Sequence, residues 1–136
     1  LILAANLDNR LKALLCSFFI DLSSERERQP FEGSGCLGTF SSRIRLSHAL
    51  GLLADNEYHD LNIIRKIRNY FAHQEHGWSF QTEDIRSRCL SFKLISDARS
   101  GYPELTGDLA NPRQAFQVAA ASISLLLMSR LKSATS

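Results

Sequence analysis

"DLNIIRKIRNYFAH", residues 60–73, decides how this chain folds. At about 100° per residue on a helical wheel, Ile63, Ile64, Ile67 and Phe71 fall in one apolar sector, with Leu61 and Tyr70 at its edges. That grouping predicts a helix. It starts in the "ADNE" turn, with Asp55 or Asn56 as N-cap, and runs to about His73 or Gln74. Gly77 in "EHGW" is a helix stop.

The same periodicity extends outward from this stretch. Leu3, Leu7, Leu11, Leu14, Phe18 and Leu22 recur every three or four residues, which predicts a first helix over roughly residues 2–22. "SSERERQPFEGSGCLG" then breaks the pattern with Pro30, Gly33, Gly35 and Gly38. The three glycines predict an ordered loop with positive φ, anchored by Phe31 and Leu37. A second helix begins between Thr39 and Ser42 and carries Ile44, Leu46, Ala49, Leu50 and Leu53. A shorter fourth helix follows from Thr82 to about Leu94. "ISDARSGYPELTGDLA" reads as irregular, and "WSFQ" comes closest to a strand. Asn111 before Pro112 opens a last helix that reaches about Leu131. The predicted fold is all-α, a single domain over residues 1–136 built as an irregular helical bundle of four to five helices.

Composition agrees with that class and narrows the function. A chain of 136 residues buries somewhat under ~70% of its unfolded surface, enough for one core without staples. Hydrophobic residues make up 44% and charged residues 22%, ordinary globular values. A net charge of +2 and no polar recognition helix count against direct DNA binding. Cys16, Cys36 and Cys89 are odd in number and lack C-x-x-C spacing, so they read as free thiols in a reducing, cytoplasmic setting. His48, His59, His73 and His76 are scattered, so no metal site and no cofactor is expected. "VAAASISLLLM" is too short for a membrane span and reads as a buried helix. The N-terminal stretch has neither the basic start nor the apolar run of a signal peptide, and its opening on Leu1 suggests a fragment.

The third helix also carries candidate chemistry. Arg68 lies on the flank of its apolar sector, whereas Arg65, Asn69 and His73 form a polar strip. Arginine binds phosphate with a planar fork, histidine moves protons near neutral pH, and Asn69 could orient the imidazole. An RNA-cleaving site that uses the 2′-hydroxyl as nucleophile needs those parts. Five residues separate Arg68 from His73, about 140° and about 7.5 Å on an ideal helix, so the two converge only if the helix loosens or a second protomer contributes. The plainer reading of Arg68 is a core-edge guanidinium paired with a carboxylate, Asp60 being the candidate. Arg43 competes for Asp60, and an Arg43–Asp60 ion pair between the second and third helices is expected.

Residues 30–73 resemble the core of the mannitol operon repressor (MtlR) family. The resemblance rests on the loop Gly33, Gly35, Cys36, Leu37, Gly38, on Ser42, Arg43, Ile44, Arg45, Leu46 in the next helix, on a "GL" turn, and on Arg68 and His73 ending the third. Cys36 stands where the family has proline. The resemblance implies an all-α repressor of sugar-alcohol uptake genes without a helix-turn-helix. "RNYFAH" is also similar to the R-x(4–6)-H signature of HEPN domains, often dimeric and in many cases metal-independent ribonucleases. Two readings follow. One is a non-enzymatic regulator working through protein contacts, as a homodimer or by docking a partner. The other is an endoribonuclease with Arg68, Asn69 and His73 in a dimer cleft, the one case in which RNA would be a partner.

Overall fold

The computed structural model describes residues 2–18, 29–33, 35–73, 79–80, 82–101 and 111–135. Six α-helices occur among them: α1 (Ile2–Cys16), α2 (Phe40–Ala49), α3 (Asp55–His73), α4 (Glu83–Cys89), α5 (Lys93–Gly101) and α6 (Pro112–Thr135). A 3-10 turn, Gln29–Phe31, precedes α2. No strand occurs among the described residues, so the fold is an all-α bundle.

α1 and α6 pack along each other more extensively than any other pair, and α3 touches all five other helices. Leu7, Leu11 and Leu14 of α1 meet a core that includes Ile44, Leu61, Ile64, Ile67, Ile85, Ile123 and Leu127. Fully burying one such side chain is worth about 1.5–3 kcal/mol. In α6 the core face includes Ala115, Ala119 and Ala120, small residues that let neighbouring helices come close.

Several sequence expectations shift. The first helix ends at Cys16, where Phe18 is exposed; residues 19–22 of the expected helix lie outside the described residues, as do Gln74, Gly77 and 102–110. Neither expected cap, Asp55 nor Asn56, precedes α3: the helix starts at Asp55, and Glu57 supplies the carboxylate that accepts from the Ala54 N–H at 2.8 Å. The predicted fourth helix is two helices, broken across residues 90–92, and α5 claims the first part of the stretch read as irregular. Of "WSFQ", Trp78 and Gln81 lie outside the described residues. Phe80 is an aromatic link between helices, its ring 5.4 Å from that of Phe71 and 5.5 Å from that of Phe116.

Among the described residues one helix, over Pro112–Ser133, is long and apolar enough to cross a membrane by length and composition, and 33% of its 18-residue apolar window is buried within the bundle. The inward face is the expected core face. The outward face is apolar as well, with Val118, Leu125, Leu126 and Met128 exposed.

Candidate functional site

Arg43 is the centre of the described polar architecture. Thr39 caps α2 reciprocally with Ser42, which fixes the helix start at Phe40, three residues before Arg43, and that side chain turns inward. The buried guanidinium uses each of its nitrogens. Nε donates to the Leu37 carbonyl at 2.9 Å, Nη2 to the Phe31 carbonyl at 3.1 Å and Nη1 to Asp8 Oδ1 at 2.7 Å. It thereby joins both ends of the glycine loop to α1.

The loop's shape depends on its glycines for two reasons. Gly33 has φ +52, a conformation that L side chains rarely adopt, but Gly35 and Gly38 do not need positive φ. A Cβ on Gly38 would collide with the Gly33 carbonyl, and one on Gly35 with the carbonyls of Gln29 and Pro30. We therefore expect Gly38→Val to lower the melting temperature by several degrees and to raise amide exchange at Leu37 and Gly38. Retained exchange protection would refute the close-packed loop. Phe31 is buried as its anchoring role requires, whereas Leu37 serves through its carbonyl.

The expected Arg43–Asp60 pair does not form, because the two residues face different neighbours. Arg43 points towards α1 and the loop. Asp60 points towards α5, where it is 0% exposed. Its Oδ1 accepts from the Lys93 N–H at 2.8 Å and from His59 Nδ1 at 2.9 Å, and its Oδ2 accepts from the Leu94 N–H at 2.9 Å. Asp60 is thus a cap on the first turn of α5, supplied from another helix. A second buried carboxylate, Glu57, is gripped by both terminal nitrogens of Arg130 at 2.6 and 2.8 Å and ties the start of α3 to the end of α6. The Glu three residues past Ala54 was the available signal for half of a capping box.

Arg68 is held on the core edge with Asp8 as its carboxylate, not Asp60. Its Nη1 lies 3.7 Å from Asp8 Oδ2, and its guanidinium sits 5.0 Å from the centre of the Phe40 ring. Asn69 is half-buried, with no contact to Arg68 among the described residues, and His73 is the last residue of α3. Arg65, on the opposite polar strip, faces a cavity with Asn62 and Lys66. Nothing among the described residues gathers three or more potential metal ligands.

The three cysteines are free thiols. Burial pushes the Cys89 thiol up from 9.0 to about 12, whereas Cys36 is exposed. The folded state therefore holds the Cys89 proton after the unfolded chain has released it. Stability from this source is complete below about pH 9 and is lost as pH rises towards 12. Urea midpoints measured from pH 8 upward should fall more steeply for wild type than for Cys89→Ala, and parallel curves would refute the assignment.

A family model described as MtlR, mannitol repressor, matches residues 28–127, which span the glycine loop, α2 to α5 and most of α6. No curated protein and no solved structure matches the chain.

Proposed function

The chain belongs to the mannitol repressor family, and from that premise we propose that it is a transcriptional repressor that works through protein contacts, with a second copy of itself on the outer face of α6. The exposed face of α6 carries this reading. Val118, Leu125 and Met128 are 42%, 66% and 44% exposed. Val118 and Leu125 stand seven residues apart on one stripe, with Ala121, Ser122 and Ser129 between and beside them. From Gln114 to Ser129 the helix has no charged residue, so two copies crossing there meet no repulsion. Small residues beside large ones allow close helix–helix contact.

Two further observations favour a regulator over a ribonuclease or a groove-reading DNA binder. Arg68 is already engaged by Asp8 and Phe40. The isoleucines of α3 form its inward face, and its outward cations Arg65 and Lys66 line a cavity shared with other helices rather than a free-standing recognition face.

Light scattering and a mannitol-operon reporter test the proposal together. Wild type should be a dimer whose melting temperature rises with protein concentration, and Leu125→Glu a folded monomer with a concentration-independent melting temperature and lost repression. A dimeric Leu125→Glu would remove α6 as the interface. Partition of wild type onto lipid vesicles in place of dimerisation would assign the face to a membrane surface instead. Metal-free cleavage of an RNA panel by wild type, abolished in folded Arg68→Ala and His73→Ala, would replace the repressor reading with the nuclease.

A further inference from the structure

A polar cavity of about 700 Å³ lies between α2, α3 and the junction of α4 with α5. Five cations from four helices line it: Arg45, Arg65, Lys66, Arg88 and Lys93. None of the five forms an ion pair with a described carboxylate. The one carboxylate lining it, Asp55, is exposed and bonded to His48 Nε2 at 2.8 Å. A chain with a net charge of only +2 therefore gathers five positive charges against one negative around a single concavity. Like charges so arranged repel, and no ion pair among the described residues offsets that repulsion. An anion in the cavity would reverse the sign of that interaction.

Other contacts hold the site in shape. The Arg65 guanidinium lies 3.4 Å from Asn62 Oδ1, and that of Arg88 sits 5.7 Å from the centre of the Tyr70 ring. His59 also lines the cavity, and its ring is fixed from below by the buried Asp60. Because a carboxylate only accepts, Nδ1 carries the proton in that bond and Nε2 is left for the cavity.

We propose that this cavity binds a phosphorylated small molecule, with Arg45, Arg65, Lys66, Arg88 and Lys93 contacting its phosphate oxygens. Arginine forks match phosphate geometry, and a single carboxylate would neutralise only one of five charges. The volume falls within the range of about 300–1,000 Å³ usual for small-ligand sites. A nucleic-acid footprint would instead spread its cations along a surface to follow the backbone. The cavity supports this inference without the repressor reading, so either can fail alone.

Calorimetric titration of the intact chain with sodium pyrophosphate at fixed ionic strength is the test. Wild type should bind saturably at one site. Arg65→Gln and Arg88→Gln should each weaken binding at least tenfold, while Arg86→Gln, an exposed cation of α4 outside the cavity, should leave it unchanged. Lys66→Gln, also exposed, should weaken binding and keeps the test open if an arginine variant fails to fold. No saturable heat in wild type, or equal affinity in every variant, would overturn the proposal. So would a short single-stranded oligonucleotide that binds with the same sensitivity to these variants and is not displaced by pyrophosphate.

Discussion

Arg43→Met should lower the melting temperature by roughly 10–20 °C. The change removes the charge-assisted bond to Asp8 and leaves the carbonyls of Phe31 and Leu37 without their described donor. Breaking a buried ion pair from one side typically costs about 3–5 kcal/mol. For a chain of this size each kcal/mol corresponds to roughly 3–5 °C. Methionine keeps much of the arginine stem's volume, so the loss reports hydrogen bonds rather than a void. Asp8→Asn should cost less, because Asp8 is partly solvated and an amide oxygen still accepts one bond. Amide exchange should rise at Leu37 and Gly38 before it rises in α6, since the loop loses its tie first. A calorimetric shift under about 3 °C for Arg43→Met would show that the guanidinium does not hold the loop.

The all-α class and the helices α1 and α3 are legible in spacing, and α6 in its start signal. Ile63, Ile64 and Ile67 announce α3, Leu7, Leu11 and Leu14 announce α1, and Asn111 with Pro112 announces α6. Periodicity reports which side of a helix is buried, and burial follows from the pattern because water drives it. The polar partners could not be read so. Arg43 and Asp8 are 35 residues apart, and Asp60 and Lys93 are 33 apart. No local rule links such positions. An arginine near an apolar sector shows that it needs a carboxylate but not which one, and Asp8 rather than Asp60 serves both Arg43 and Arg68. The break between α4 and α5 was hidden for the same reason, because the carboxylate that caps α5 comes from α3. The basic cavity was also illegible: Arg65 and Lys66 look like an ordinary solvated face until Arg45, Arg88 and Lys93 arrive from other helices. On α6 the apolar run implies a buried helix, but its outer stripe stays exposed.

Asp60→Ala should cost about 3 kcal/mol, through a mechanism unlike that of Arg43. Three donors lose one acceptor group: the N–H groups of Lys93 and Leu94 and the Nδ1–H of His59. Loss of a helix cap alone costs about 0.5–2 kcal/mol, and a hydrogen bond to a charged group is worth about 1.5–3 kcal/mol. Asp60 has no exposed surface through which water could replace it without rearrangement. Asp60→Asn should fall between wild type and alanine, because its one carbonyl oxygen can serve one N–H while its amide nitrogen faces another donor. The damage should begin at α5. Exchange at Lys93 and Leu94 should accelerate in both variants, more in alanine, while the Leu37 amide stays protected by the intact Arg43 network. That separation distinguishes a local cap from general destabilisation. If both regions open together in Asp60→Ala, α5 is not an independently released element, and the carboxylate stabilises the bundle as a whole. If neither opens and the melting temperature stays within about 2 °C, the two N–H groups find other acceptors, and Asp60 is not what starts α5.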